Sequence, residues 1–536
     1  MTTASSTTIL DCTLRDGGYY NNWDFEPAKA EQLIAALNQA GVDIIEVGYK
    51  SLPKQGYYGL FRYCNEKYLS FLSKYTHSAY AFMIDTAEFV QDGKVQSHLL
   101  DTIILTQSES VFSWCRLASH FKDIVLLNDF VGYFRRKGYK VAFNLMGASL
   151  LSEEQLISAL NQVEKIKPEV FYIADSFGSF YPKDIQQIIR FIKKYYSGEL
   201  GVHTHDNQGL AYANTMAALD EGVTYMDATV MGMGRGAGNL STEQLLLGMS
   251  EKQTEKKLNP SVLLEIIQQY VEPLKKHYGW GYNYMYMLSG LQNIHPSYCQ
   301  YLSEGNRLTV KQISGILASI PAEYRSKFNK DVLQKVMQGF LANEDSKGED
   351  IPVFSLPEQS TVIVVARGSS VAKNIDTLTH FAKSEGLLVL ECNHTKLLED
   401  LSSRILVLFN KMRLHEYIST NANSDITILT GEKTFDLKGK NNVMSFPYKI
   451  GTFEIGKDEI SIPDFEAGQF ALALAGLMGV KTIYLAGFDG YETEERNKIM
   501  DEFFEIFRAK TSIELVALTP TRYRSLIQSS LYSVNI

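Results

Sequence analysis

Two histidines stand one residue apart in "GVHTHDNQG" (201–209). Side chains at i and i+2 of a strand share a face. His203 and His205 would therefore present two imidazoles together, either as a bidentate metal site or as a hydrogen-bonded pair without metal. A second cluster is "LDCTLRDGG" (10–18), where Arg15 and Asp16 stand at the end of a buried-strand pattern. The Asp16 carboxylate could complete the site. Mixed oxygen and imidazole ligands with open positions suit a Lewis-acidic divalent cation. Mn2+ is the leading expectation, with Mg2+, Co2+ or Zn2+ as alternatives. Arg15 reads either as a structural ion pair or as a permanently charged donor placed where negative charge develops. Gly17 and Gly18 free the backbone to turn away. In "MGMGRGAGNLSTEQLL" (231–246), the glycines fit a loose dinucleotide-binding pattern. No further strand follows to complete a βαβ unit, so the segment reads as a flexible loop that carries Asn239 over the metal. Ser241 or Thr242 would cap the next helix.

These side chains need a scaffold that gathers strand ends. From residue 8 to about 250, short apolar runs alternate with amphipathic stretches. The runs are "TILDCTL" (8–14), "VDIIEVGY" (42–49), "SAYAFMID" (78–85), "FSWCRLA" (112–118), "KVAFNLMGA" (140–148), "VFYIADSF" (170–177), "ELGVHTHD" (199–206) and "YMDATVMG" (225–232). Near-continuous apolar strands suit a parallel sheet covered on both faces. Eight β/α units over this length predict a closed (β/α)8 TIM barrel, with an open doubly wound sheet as the alternative. Active sites of such barrels lie at the C-terminal strand ends, where the polar residues above fall. Arg116, ending the fourth strand, and Asn144, in the fifth, become pocket donors by position.

The predicted organisation is a catalytic barrel over 1–255, a helical extension over 256–345, a linker at 346–360 and a Rossmann-like α/β domain over 361–536. The linker rests on the polar, proline-containing "NEDSKGEDIPVFSLPEQS" (343–360). "TVIVVARGSS" (361–370) opens the last domain as a strand running into a Gly-Ser loop, which could cradle a phosphate but lacks a P-loop lysine. The bulk numbers agree with a multidomain globular chain: 536 residues, 45% hydrophobic and 21% charged. A net charge of -9 leaves no footprint for nucleic acid or anionic membrane. No apolar run approaches the roughly 18 residues of a spanning helix, and the N-terminus lacks a signal-peptide core. Five scattered cysteines without a CxxC pair predict free thiols in a reducing cytoplasm.

"LDCTLRDGG", "IIEVGYKS", "GVHTHDNQG" and "GMGRGAGNLSTE" together resemble the metallolyase group of TIM barrels. That group includes 4-hydroxy-2-oxovalerate aldolase, 3-hydroxy-3-methylglutaryl-CoA lyase and the isopropylmalate synthases. The resemblance covers roughly residues 7 to 250 and fades through 300. It implies that Asp16, His203 and His205 ligate a divalent metal, with Asn239 a fourth or nearby ligand. It implies that Arg15 stabilises an enolate, that Glu46 sits near the metal, and that Asp175 and Ser176 line the pocket. The reaction implied is metal-dependent making or breaking of a C–C bond between the enolate of a 2-oxo acid such as pyruvate and an aldehyde. The aldehydes themselves, and homo-oligomerisation, are further expectations. The aldolases carry a histidine three residues after the motif aspartate, where this chain has Tyr19. An ordinary tyrosine, with a pKa near 10, is a poor base at neutral pH. Tyr286, which roughly matches a tyrosine of the aldolases' helical extension, and His295 in "NIHPSY" are the other candidates. A Claisen-type acyl-CoA condensing enzyme is the runner-up. "RDGGYY" in place of an "RDGEQ"-like continuation favours the aldolase side. A non-catalytic scaffold barrel is the third reading, opposed by the joint presence of Arg15, Asp16, His203, His205 and Asn239. "LALAGLMGVKTIYLAGFDGY" (472–491) faintly resembles domains of bacterial surface-polysaccharide enzymes and pterin diphosphokinase-like proteins, which implies a carbohydrate-derived aldehyde and polysaccharide biosynthesis. A purely structural domain is the alternative.

Overall fold

A computed structural model describes residues 7–148, 151–251, 257–303, 308–342, 349–355, 357–393, 398–421, 425–432, 434–435, 442–491 and 494–533. The chain divides into two compact units. One holds residues 1–301 and 321–329, the other 302–320 and 330–536.

In the first unit the eight apolar runs form β1 (Thr8–Asp11), β2 (Ile44–Tyr49), β3 (Ala79–Asp85), β4 (Trp114–His120), β5 (Lys140–Met146), β6 (Val170–Asp175), β7 (Leu200–Thr204) and β8 (Tyr225–Ala228). They are parallel, each paired to its sequence neighbours, and β1 pairs with β8 to close the barrel. The intervening helices follow local signals. α1 (Pro27–Ala40) starts with proline at its first turn and ends on Gly41 at φ 91°, a left-handed cap that costs glycine no Cβ clash. It buries Ala30, Leu33, Ile34, Leu37 and Ala40 on one stripe, each large side chain contributing about 1.5–3 kcal/mol. α2 (Glu153–Ile166) begins with a capping box in which Ser152 and Gln155 exchange hydrogen bonds at 3.2 and 3.0 Å.

Alternation along the strands separates two cores. Outward residues pack on the helices, while Leu10, Cys12, Ile44, Ala81, Trp114, Ala142, Val170 and Tyr172 fill the barrel interior. Gly201 makes this possible, because a Cβ there would lie 2.4 Å from the Tyr172 ring. α3 (Thr242–Glu251) follows β8, and α4 (Glu272–Tyr278), α5 (Tyr284–Leu291) and α6 (Pro296–Ser303) come after it.

The expected helical extension is divided between the units, since α7 (Val310–Ala318) and α8 (Lys330–Ala342) fall in the second. Of the expected linker stretch, residues 343–348 and 356 lie outside the described residues. The remainder follows the sheet margin, where Phe354 N–H donates to Ser445 O at 2.8 Å and Ile351 is buried. The second unit is built on an eight-stranded parallel sheet. Its strands are β9 (Thr361–Val365), β10 (Leu388–Cys392), β11 (Arg404–Val407), β12 (Thr427–Thr430), β13 (Val443–Ser445), β14 (Thr482–Ala486), β15 (Glu514–Ala517) and β16 (Ile527–Gln528). Their order is β13-β12-β11-β10-β9-β14-β15-β16, so the chain starts in the middle and winds outward both ways. The Gly-Ser loop after β9 borders a cavity, and part of its donor set is met from within the chain. The Asp489 carboxylate accepts from Ser370 N–H at 2.9 Å, from the Ser369 hydroxyl at 3.3 Å and from the Ser370 hydroxyl. Among the described residues, no helix is long and apolar enough to cross a membrane.

Candidate active site

Asp16 reaches the barrel mouth by a route that its motif did not disclose. β1 stops at Asp11, whose buried carboxylate accepts from Thr13 N–H (2.9 Å), the Thr13 hydroxyl (3.0 Å) and the Thr242 hydroxyl (2.6 Å). Burial pushes this carboxyl up to about 6 against those hydrogen bonds. Thr242 is thus spent on Asp11, and the Ser241 hydroxyl on the Gln244 side chain at 3.5 Å. The chain then makes one helical turn, Thr13–Asp16, with Asp16 N–H donating to Cys12 O at 2.9 Å. Asp16 therefore stands a turn above the strand rather than ending it. Gly18 follows because the Trp23 indole, held to Arg15 O at 2.8 Å, would lie 2.1 Å from any Cβ there.

The Asp16 carboxylate, His203 and His205 each bring a ligand atom within 4.8 Å of the others. His203 Nδ1 bonds the Asp227 carboxylate at 3.0 Å, and His205 Nδ1 donates to Asp175 O at 2.7 Å. Each ring is thereby oriented with Nε2 presented to the common centre, the arrangement that fixes metal-binding histidines. His203 Nε2 lies 3.7 Å from Asp16 Oδ2. Burial drives the His205 imidazole down to about 4, helped by His203, so it stays neutral. Burial would raise the Asp16 carboxyl, but Arg15 above all, with the Asn239 amide, holds it well below the ordinary carboxylate range. Asn239 donates through Nδ2 to Asp16 Oδ2 at 2.5 Å, while its buried Oδ1 has no partner among the described residues. Gly234 permits that approach, since a Cβ would lie 2.5 Å from Asn239 Nδ2.

Beneath this centre runs a ring of buried charges. Arg15 donates to Asp16 at 2.7 Å and to Glu46 Oε2 at 2.8 Å. Glu46 Oε2 also accepts from Arg116 Nη1 at 3.0 Å, and Arg116 Nη2 reaches Asp227 Oδ2 at 2.6 Å. Asp227 bonds His203, which returns to Asp16. Two guanidiniums against three carboxylates leave one net negative charge with neutral histidines (+2 − 3 = −1). Arg116, expected as a pocket donor, is instead wholly buried and stacked 4.3 Å over the Tyr172 ring. Glu46 lies beside the centre with its second oxygen unpartnered among the described residues. A carboxylate, two Nε2 atoms, an orphaned amide oxygen and a net negative surround fit a divalent cation. The alternative trio Cys12, His203 and Asp227 fits less well, because Asp227 already serves Arg116 and burial holds the Cys12 thiol protonated.

The other expected residues divide by position. Asn144 is buried on β5, and its Oδ1 has no partner among the described residues. Asp175 turns its carboxylate away to accept from Ser179 N–H (3.0 Å) and Phe180 N–H (3.3 Å), with burial raising it to about 6. Its part in the centre is the carbonyl that orients His205. The Ser176 hydroxyl accepts from Gly147 N–H at 3.2 Å and joins two mouth loops. The Tyr19 hydroxyl meets that of Tyr49 at 3.0 Å, and Tyr19 remains 43% exposed to solvent. The Tyr286 hydroxyl accepts from Gln300 Nε2 at 3.2 Å, and burial raises its pKa. His295 Nδ1 accepts from Ser297 N–H at 3.3 Å. Burial, with Arg235 and His205 nearby, pushes His295 down to about 3. A neutral ring that accepts at Nδ1 carries its proton on Nε2, so here His295 is a donor, not a base. Two residues escaped the sequence reading. Asp227 announced itself only as a carboxylate inside the apolar "YMDATV". Arg235 was hidden among glycines, yet it stands 5.3 Å over the Tyr19 ring.

Residues 103–269 match the family model described as HMGL-like. A 4-hydroxy-2-oxovalerate aldolase of Pelotomaculum thermopropionicum is 30% identical over 247 residues, covering 45% of this chain and 70% of that one. An oxaloacetate decarboxylase of Mycobacterium tuberculosis is 26% identical over 247 residues, 46% of this chain and 70% of that one. The crystal structure of the N-terminal domain of a conjectured aldolase from Bacteroides vulgatus is similar at TM-score 0.50 and 33% identity. It covers 56% of this chain and 97% of its own.

Proposed function

The chain belongs to the HMGL-like family and its barrel is that of a carbon–carbon lyase; from that premise we propose a divalent-metal-dependent aldolase that joins or separates pyruvate, as its enolate, and an aldehyde. Mn2+ is the cation of first choice, and carbohydrate-derived aldehydes are the acceptors to try first. The observation that carries this is the convergence of Asp16, His203 Nε2 and His205 Nε2 above a ring of net charge −1. When bound, a divalent cation supplies Lewis-acid polarisation of the 2-oxo acid carbonyl.

The chain's own residues supply the rest. Arg15, locked by Asp16 and Glu46, keeps Nη2 without a partner among the described residues. That N–H is a preorganised donor for the oxygen on which enolate charge develops. Asn239 Oδ1, beside Asp16, and Asn144 Oδ1, on β5, are further buried acceptors without partners among the described residues. In the cleavage direction the C3–C4 bond of a 4-hydroxy-2-oxo acid breaks and its electron pair passes into the enolate. The C4 hydroxyl proton leaves and the aldehyde carbonyl forms. Tyr19 handles that proton as a relay: its oxygen takes the C4 proton while its own passes to solvent water, which its exposure admits, and Tyr49 orients the hydroxyl. A relay needs no standing phenolate, which answers the objection that tyrosine is a weak base. A proton returned from that water to C3 completes pyruvate and balances the one lost from the C4 hydroxyl. Tyr286 and the His295 Nε2–H serve as donors that hold the departing oxygen.

The purified chain with Mn2+ and 4-hydroxy-2-oxo acids, coupled to lactate dehydrogenase, is expected to consume NADH and to stop when a chelator is added. Free CoA released from acetyl-CoA, with no turnover of any hydroxy-oxo acid, would favour the condensing-enzyme alternative.

A further inference from the structure

Several cations of the first unit are paired with carboxylates. Arg15, Arg62, Arg116, Arg135 and Arg190 each meet a carboxylate, as do Lys50 and Lys54 near the mouth. Arg235 is an exception. It is half-buried, lies over the Tyr19 ring at 5.3 Å, and has no carboxylate partner among the described residues. The loop that carries it is clamped. Tyr20 donates to Gly236 O at 3.3 Å, Gly281 N–H to the same oxygen at 3.3 Å, and Trp280 Nε1 to Met231 O at 3.0 Å. A Cβ on Gly236 would lie 3.4 Å from the Tyr286 ring and 3.0 Å from Pro296. Arg235 is therefore held beside Tyr19, Tyr286 and His295, the groups that surround the aldehyde half of the reaction. His295 adds an N–H donor there and no acceptor.

The charge count makes this cation conspicuous. A divalent cation on a ring of −1 leaves +1, and the carboxylate of a 2-oxo acid neutralises it. Arg235 itself makes no ion pair with any of these carboxylates among the described residues. A half-buried guanidinium held over the Tyr19 ring with no carboxylate partner suits a planar anion with two oxygens.

Resting on the lyase assignment above, we infer that Arg235 selects an aldehyde that carries its own negative charge, a carboxylate or a phosphate, over a neutral one. The test compares kcat/KM for pyruvate addition to acetaldehyde, succinic semialdehyde and glyceraldehyde 3-phosphate in the full chain with Mn2+. At least one anionic aldehyde is expected to exceed acetaldehyde tenfold or more, and the ranking of the two identifies carboxylate or phosphate. Arg235→Met is expected to lower that ratio by about ten- to a hundredfold, the range for a lost charge-assisted hydrogen bond. Arg235→Lys is expected to restore part of it. Calorimetric binding of 4-hydroxybutyrate and glycerol 3-phosphate, which do not react, is expected to weaken in parallel. Equal use of all three aldehydes, or equal losses with all three in Arg235→Met, overturns the assignment. Exchange of the pyruvate methyl protons in D2O reads the lyase chemistry without an aldehyde. Exchange without anion preference sinks the role of Arg235 alone; no exchange and no turnover sinks the lyase assignment and Arg235 with it.

Discussion

At the C-terminal end of the barrel, Asp16 is approached by Arg15, Asn239 and His203, yet the cluster around it keeps two imidazole nitrogens and one amide oxygen without hydrogen-bond partners among the described residues. At the C-terminal end of β14, Asp489 meets the start of α9 (Ser369–Lys373) and is spent on one backbone N–H and two hydroxyls of its own chain. Both carboxylates stand where parallel strands deliver ligand sites. In one constellation the ligand-type atoms converge on a common centre; in the other the aspartate is satisfied by its own chain beside a cavity that Gly368, Asn393 and Asp489 line. Motif resemblance does not separate the two, because a Gly-Ser loop looks the same whether its N–H groups face a phosphate or an aspartate. The partners of the two aspartates do separate them: a cluster of ligand-type side chains around Asp16, a loop's own N–H and hydroxyls on Asp489.

Substitutions can break or sharpen this contrast. His203→Ala removes a candidate ligand and the partner of Asp227. Turnover is expected to fall by over about a thousandfold, given the several kcal/mol a bound metal supplies, with elemental analysis showing metal lost. Arg15→Met removes the donor at the enolate oxygen and is expected to cost about 10²–10³ in kcat, while bound metal, read the same way, stays near wild type. Arg116→Met leaves Glu46 and Asp227 buried with their partner gone. Denaturant unfolding is expected to show about 3–5 kcal/mol of lost stability.

A milder effect concerns pH. The folded chain holds His295 neutral down to about 3, whereas the unfolded chain protonates it near 6.5. Between those values the unfolded state binds the extra proton, so stability falls as pH drops through the window and is whole above it. His295→Gln is expected to lose less melting temperature between pH 7 and pH 5 than wild type, and an equal loss would show that the ring is not held neutral. The smallest effect belongs to the second constellation. Asp489→Ala should cost about 1 kcal/mol, the value of a helix cap, and leave aldolase turnover unchanged in the coupled assay.

Much of this was legible before any fold was seen. The alternation of apolar runs and amphipathic stretches announced β1 to β8, because burial of strands on both faces leaves a local pattern. The HxH spacing placed His203 and His205 on one face, because side-chain direction repeats every two residues. Arg15 and Asp16 were conspicuous as charges at an apolar run's end. Asp227 was visible only as an oddity, and Arg235 was not singled out at all, since an arginine among glycines carries no periodic signal.

What tertiary structure alone decided are the pairings. Barrel closure brings Glu46, Arg116 and Asp227 into one ring from three strands. Asp11, through residues 13 and 242, ends β1 early and lifts Asp16 by a helical turn. Ser297 N–H makes His295 a donor, and Asp489 binds the loop after β9. The division has a physical cause. Periodicity and turn chemistry act over a few residues and are written into neighbouring positions. Which buried charge meets which, and which atom is left without a partner, depends on residues brought together from distant parts of the chain, and only the packed fold specifies that.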